Sequence, residues 1–384
     1  MGFAGVFRLM VVIFPPFLSN DIYRYIWDGW VQAAGINPYR YIPDDSHLAF
    51  LRDTAVFPNI NRANYAHTIY PPAAELIFFF ASRIGALLAI PPVLAMKIAM
   101  LVLEGTGIWA MIRILDHAAL PRARILIYAW NPVPIWEFAG SGHVDAITIC
   151  FIALAFLAVC KSKNGWGAAT LAAAVLTKFL PVILLPALWR RWDWKFAVIF
   201  IAVIVMLYAP YLSVGRAVFG FLSGYTAQEG IDNGHGIFLL AVLGHVVTLP
   251  PYASKIYLLF LAAILLGLSL VMVFGRHLSP VGVAATKITA QRALLLGCIL
   301  FVGLSPHYPW YYCWLLIPAC IMPWSSVLYL VTATFLLYLN AIHTKLFWPA
   351  FIYVPFVVLA LRDARAGTIS VKVSHMKLIE GDRT

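Results

Sequence analysis

Apolar stretches able, or nearly able, to cross a bilayer recur from one end of this chain to the other, with no long polar domain between them. A spanning helix needs about 20 largely apolar residues, and inside hydrocarbon every backbone amide must find its partner within the protein. The chain is thereby restricted to a helical membrane architecture. Composition agrees, since 62% of the 384 residues are hydrophobic and 11% are charged, against about 25% charged in an average soluble domain. The expected fold class is all-α: a polytopic integral membrane protein of about 10–13 helices. It is read as one domain over residues 1–361, followed by a basic cytoplasmic tail over 362–384.

The first apolar segment, Phe3 to Leu18, is short, is interrupted by Arg8 and lacks a small-residue cleavage site. An uncleaved first helix is expected there, with the start of the protein upstream. Further spans are expected near 72–90, 93–114, 124–138, 146–160, 196–213, 255–274, 292–304, 310–322, 325–342 and 346–361. If both 72–90 and 93–114 crossed, the basic loop around Arg122 would lie outside. One of the two is therefore expected to be re-entrant or interfacial.

Basic residues set the orientation. Arg113, Arg122 and Arg124; Lys161 and Lys163; Arg190, Arg191 and Lys195; Arg276, Lys287 and Arg292; and the tail from Arg362 all stand beside span ends, as cytoplasmic loops do. The segment from Ser19 to Tyr70 has four Arg and no Lys against five Asp. It lacks the basic excess and is expected to face outward, as a long first external loop. The net charge of +11 is scattered among short loops rather than gathered on one face, so it marks membrane orientation and not a nucleic-acid partner. The five cysteines lie in apolar runs without C-x-x-C spacing, which fits small buried hydrophobes better than zinc ligands or disulfides.

Two stretches, Trp166 to Thr177 and Phe179 to Leu188, are each too short for an ordinary span, and basic clusters flank both. They read as a helical hairpin over 166–188 that returns to its starting side. Lys178 sits at its apex, where an ammonium either snorkels to the interface or meets an anion. Pro181 and Pro186 interrupt the second arm, and such interruptions are tolerated where backbone lines an enclosed cavity.

Other polar groups fall on the same outward side. His143 and Asp145 follow a Gly-Ser-Gly turn, Asn233 and His235 lie in a glycine-rich loop, and His307 and Tyr308 open an aromatic cluster. The first pair also fits a helix start with Asp as cap, and the last fits an interfacial aromatic belt. A metal site from His143, Asp145, His235 and His307 has suitable ligand types but no diagnostic spacing. No metal or other cofactor is expected, and a divalent ion is compatible without being supported.

The polar island from Ser19 to Gly29 carries the most information, because a carboxylate beside Arg and aromatic residues at a bilayer surface is costly and usually belongs to a site. With Ala34 to Tyr39, Ile69 to Pro72, Asn131-Pro132, Gly142 to Asp145, Thr177-Lys178 and Ser305 to Tyr308, it resembles the bacterial mannosyltransferases of the GT-C superfamily that use polyprenyl-phosphate sugars. The resemblance implies an inverting hexosyltransferase, transferring mannose by that likeness alone, in the inner (plasma) membrane. Its active site faces the periplasm or exterior, its donor is a polyprenyl-phosphate sugar, and its acceptor is a hydroxyl of a glycan or glycolipid. An acid in the first external loop acts as base, and by position that acid is Asp21. Where relatives often carry two adjacent acids this chain has Asn20-Asp21.

Residue types support this chemistry independently. A positioned carboxylate can take the acceptor proton, and a lipid-phosphate leaving group needs cations rather than a protein acid. Lys178 and Arg24 are the expected phosphate partners, Asp28 and Tyr25 the expected supports of Asp21, and His143, Asp145, Asn233, His307 and Tyr308 the expected substrate contacts. Two other functions compete. A transporter or flippase of lipid-linked substrates would place its polar groups near the bilayer midplane and show matching halves, and a metal-dependent lipid phosphatase would want more converging ligands.

Overall fold

The computed structural model describes residues 2–275, 282–339 and 346–366, apart from the side chain of Ser223. Among the described residues ten α-helices exceed ten residues: α1 (Gly2–Val12), α2 (Asp21–Ala33), α3 (Pro72–Leu87), α4 (Pro92–His117), α5 (Asp145–Cys160), α6 (Asn164–Val175), α7 (Trp194–Tyr208), α8 (Ala253–Phe274), α9 (Val283–Leu304) and α10 (Phe347–Arg365). By length and composition α4, the stretch Trp194–Gln228 that begins with α7, α8, α9 and α10 can each cross a membrane. The segment Pro132–Gly140 with α5 makes a sixth when counted as one span, bent by 119° at its break. The protein is an all-α, polytopic membrane protein, as expected. Outward-facing Leu259, Phe260, Leu266 and Val271 on α8 are the side chains a bilayer covers.

Several expected spans are reshaped. Of the pair at 72–90 and 93–114 only the second has the length to cross, because α3 stops after 16 residues. The expected span at 124–138 is broken: Pro132, without an N–H, ends the preceding turn, and the chain continues as the π-helix Ile135–Gly140. The two arms of the expected hairpin are α6 and, after a break at Lys178, the 3-10 turn Leu180–Leu184 with the short helix Leu185–Leu188. The span at 310–322 starts with the 3-10 turn Pro309–Leu315. The span at 325–342 is Ser325–Ala333 continued by Thr334–Leu339. Residues 340–342, Arg276 and the tail from 367 onward lie outside the described residues.

The first helix explains its own arginine. Ala4, Arg8 and Val12 lie four apart and form the buried stripe of α1. Arg8 donates to Glu104 of α4 through Nε at 2.9 Å and Nη2 at 2.7 Å, and through Nη1 to the carbonyls of Ala4 and Ala129. Tyr128 adds a hydroxyl donor to Glu104 at 3.1 Å. Seven residues earlier on the same face of α4, Lys97 donates to the Phe14 carbonyl at 2.6 Å, satisfying backbone acceptors left over at the end of α1. Lys97 and Glu104 of α4 thus both fasten the short first helix.

The long first loop folds back over α2. Tyr25 stacks on Phe78 of α3 with ring centroids 4.6 Å apart, and Gly29 lets the two helices approach so closely that a Cβ there would stand 2.5 Å from the Phe78 carbonyl oxygen. On the other side Trp27 and Val31 pack with Leu48 and Ile60 of the loop. A buried polar cluster ties the loop's end down. Arg24 pairs with Asp28 at 2.8 Å and donates to the Ala66 carbonyl, Thr68 donates to Glu75, and Gln32 reaches the same Glu75 carboxylate.

Removing one member of a buried ion pair leaves an unpaired charge, which costs about 3–5 kcal/mol, whereas neutralising both costs far less. Arg8→Met is expected to lower stability on that scale, and Arg8→Met with Glu104→Gln to recover part of it. Unfolding of the purified variants in detergent, followed by heat, measures both. A double variant no better than the single would mean that the pair is not coupled.

Candidate active site

The site is assembled where several helices break. Between Gly140 and Asp145 the chain turns sharply, with Gly142 at φ +68 and so close to Ile22 and Lys97 that a Cβ would stand 2.5 Å from the Ile22 Cδ1. This turn presents His143 and Asp145, both buried, toward the start of α2. A second break follows α6: the N–H of Ala73 in the first turn of α3 donates to the Leu176 carbonyl at 2.9 Å. That bond seats the hairpin apex, and Lys178 with it, beside Tyr70 and Pro71. The third break is at Ser305, in the left-handed region at φ 51, from which Tyr308 to Trp314 descend as a turn of aromatic residues.

These breaks create a line of charges. His143 Nε2 lies 3.4 Å from an Asp21 carboxylate oxygen, His143 Nδ1 2.7 Å from Asp145, and Lys178 Nζ 2.7 Å from the same Asp145 oxygen. The other Asp145 oxygen accepts from the Trp314 indole at 2.8 Å. Trp310 stacks on the His143 ring at 4.0 Å and Tyr308 stacks on Trp310 at 4.4 Å. Lys178 stands 4.1 Å from the centre of the Tyr311 ring, a cation–π contact. Tyr25 accepts the Val144 N–H through its hydroxyl at 3.4 Å, so it braces the turn.

Asp21 is the most exposed carboxylate of this line, with a fifth of its side chain exposed to a cavity. Burial works to raise its pKa. The hydrogen bonds of His143 and Asn61, together with the charge of Lys178, overcome that and hold the carboxyl below its usual range. Asn61 donates to Asp21 at 2.8 Å and to Asn20 at 3.2 Å, while Asn20 donates to the Asn59 carbonyl. Asn20 therefore anchors the loop that carries Asn61.

Two cavities meet at Lys178. The first, of about 160 Å³, is the more polar of the two and is lined by Asp21, Asn61, Arg62, His143 and Tyr308 among others. The second, of about 190 Å³, is lined largely by apolar groups, including Phe179, Leu180, Leu222 and Leu304. Ile69, Tyr70, Lys178, Tyr225 and Tyr311 line both. A charged group bound at Lys178 can thus keep one end among polar side chains and the other among apolar ones.

The structure brings together Asp21, Tyr25, His143, Asp145, Lys178 and Tyr308. His307 lines the apolar cavity, 3.2 Å from Glu229 and 3.1 Å from the Gly236 carbonyl. Three expected site residues stand elsewhere. Arg24 lines neither cavity, because its guanidinium is committed to Asp28 and the Ala66 carbonyl, and Asp28 is its partner in that buried cluster rather than a support of Asp21. Asn233 is exposed and its side chain accepts the His235 N–H, closing its own loop. Among the described residues no three His, Cys, Asp or Glu side chains are grouped as a metal site. Arg62 and Asn61 are the site residues that the sequence did not mark; both lie in the long first loop, whose path over Asp21 has no periodic signal.

Residues 6–193 match the family described as "Alpha-(1->6)-mannopyranosyltransferase, N-terminal domain". Alpha-(1->6)-mannopyranosyltransferase A of Mycobacterium tuberculosis is 22% identical over 323 residues, covering 78% of this chain and 60% of that protein. The protein of the same name from Corynebacterium glutamicum is 27% identical over 179 residues, covering 44% of this chain and 34% of that protein. The chain thus spans less than two thirds of the length of either relative. No solved structure matches it.

Asn61→Ala removes one of the bonds that depress the Asp21 pKa, so the carboxyl is expected to titrate at higher pH than in the parent, as read by carbon NMR of labelled aspartate. The stability that the depressed group contributes is present above its unfolded pKa and is lost as pH falls through the folded one. The variant is therefore expected to lose stability at a higher pH on acidification. An unmoved titration would show that Asn61 does not stabilise the charged form.

Proposed function

On the premise that this chain is similar to GT-C-type mannosyltransferases, we propose that it transfers mannose from a polyprenyl-phosphate donor to a hydroxyl of a glycan or glycolipid acceptor, inverting the anomeric carbon. The observation that carries this reading is the position of Lys178, where the polar cavity holding Asp21 meets the apolar cavity. A polyprenyl-phosphate sugar has this sequence of parts: sugar, phosphate, hydrocarbon. The sugar and the acceptor hydroxyl occupy the polar cavity, the phosphate lies at Lys178, and the first isoprene units enter the apolar one.

The acceptor oxygen attacks the anomeric carbon from the face opposite the phosphate. Its proton passes to an Asp21 oxygen, and the bond from the anomeric carbon to the phosphate oxygen breaks through an oxocarbenium-like state. The lipid phosphate leaves with one more negative charge than it had in the diester. Lys178 has one donor on Asp145 and two others for that growing charge, and Arg62 takes the second cationic role that Arg24 cannot reach. Asp145 and His143 are positioning residues: the first holds Lys178 and His143, the second orients Asp21. Leu304 and Ser305, which line the apolar cavity, stand at the end of the spanning helix α9, which favours a site at one face of the membrane over a midplane transport site. The distribution of basic residues supports an outward position for that face.

Asp21→Asn is expected to keep the fold and donor binding while lowering turnover by about 10²–10⁴-fold, measured with a polyprenyl-phosphate-mannose analogue. Lys178→Ala is expected to weaken donor binding and slow transfer by roughly 10²-fold, and Lys178→Arg to restore only part, because a planar fork replaces a point charge. Near-parental turnover in Asp21→Asn would remove that residue as the base. Unchanged donor titration in Lys178→Ala would move the phosphate elsewhere.

The side of the membrane is tested separately. Ser46, exposed in the first loop, and Ser162, exposed between α5 and α6, lie on opposite sides in this topology. Ser46→Cys is expected to react with an impermeant maleimide on intact cells and Ser162→Cys only after permeabilisation. The reverse pattern would place the reaction on the cytoplasmic face.

A further inference from the structure

A third cavity, of about 510 Å³, lies far from Asp21. Its place follows from α5 and the spanning helix α9. The first residue of α5, Asp145, belongs to the active site and its last, Cys160, lines this cavity. Leu304 at the end of α9 lines the apolar donor cavity, and Thr286 near its start lines this one. At 1.5 Å per residue these separations are about 22 Å and about 27 Å. The cavity therefore opens at the membrane face opposite the active site.

Three arginines converge there: Arg190 and Arg191 from the segment after the hairpin, and Arg292 from α9. Every ion pair found among the described residues uses other cations. The nearest acid in sequence, Asp193, is committed, accepting the Phe196 N–H on one oxygen and the Asn164 amide on the other. Thr289 adds a hydroxyl to the lining. Met272, Val273 and Ile288 line the same cavity beside Trp189 and Trp192, and Trp at a span end marks the headgroup level.

Three cations with no acidic partner among the described residues, an apolar wall and a position at the end of a spanning helix fit one class of ligand. We propose that this cavity binds the phosphate headgroup of an anionic phospholipid from the leaflet opposite the active site. Basic recesses between spanning helices hold such headgroups with bidentate guanidinium contacts. The site is separate from the transfer reaction, so its test does not depend on the proposed donor. A free phosphate ion offers the same oxygen atoms without an acyl chain to meet the apolar wall.

The full chain, purified and delipidated in neutral detergent, is titrated with phosphatidylglycerol, phosphatidylcholine or inorganic phosphate. Bound lipid is counted by native mass spectrometry and the melting temperature is followed in parallel. Retention of phosphatidylglycerol with a rise in melting temperature is expected, with little effect of the other two. Arg190→Gln with Arg292→Gln is expected to weaken phosphatidylglycerol binding roughly thirtyfold, the ordinary effect of two basic residues at an anionic surface. Lys195→Gln, in the first turn of α7 just after that segment and outside the lining, is expected to bind as the parent does. Equal retention of phosphatidylcholine, or no retained lipid in the parent, would overturn the proposal. An equal rise with inorganic phosphate would also overturn it, in favour of an anion site. If the double variant does not fold, Arg292→Lys replaces it, and undiminished binding by that variant with no discrimination among headgroups overturns the proposal equally.

Discussion

The carboxylate of Asp145 is the interaction on which the site depends. It is fully buried, and an ionised group withdrawn from water persists only when paired and hydrogen-bonded. Its partners come from three places: His143 from the turn before α5, Lys178 from the hairpin apex, and Trp314 from the aromatic turn after α9. None of these segments has a continuous helix at that point. Each break frees a side chain to aim inward, and Asp145 joins the freed side chains. Asp21 from α2 is then reached through His143. Four otherwise independent stretches are thus fixed around one negative charge.

Much of this was legible because membrane helices leave few places for polar residues. Asp21, the His143–Asp145 pair and Lys178 stood out as ionisable groups at interruptions of apolar runs, and the structure gathers them. The break at Lys178 was legible from two apolar arms each too short to span. The Arg24 assignment went astray for a reason that is itself in the sequence. Arg24 and Asp28 are four residues apart on a helix, where opposite charges face each other, and their mutual pairing leaves Arg24 no reach toward the cavity. Asn61 and Arg62 carried no such signal. Their relation to Asp21 depends on a loop of irregular turns held by side-chain bonds to backbone, such as Asn20 to Asn59 and Arg24 to Ala66. The break at Pro132 was visible as a proline, but the 119° bend that follows depends on Gly142 packing against Ile22 and Lys97.

The ionisable residues fall into two physical kinds, and the distinction is sharper than burial. Arg8 with Glu104, and Arg24 with Asp28, Thr68 and Glu75, make their polar contacts with one another or with backbone carbonyls, and neither Arg8 nor Arg24 lines the two cavities. Lys97 likewise spends its ammonium on the end of α1. Such groups fix helices against one another, and a ligand arriving there would have to displace an existing partner. Asp21 and Lys178 are held just as firmly, but each keeps a face on a cavity. In a membrane protein the expense of placing a charge marks a residue as purposeful without saying for what purpose. The valence left open toward a cavity separates the two uses. By that criterion Arg62, on the rim of the polar cavity, stands with Asp21 and Lys178, while Arg24, close to Asp21 in sequence and committed to its own carboxylate, stands with Arg8.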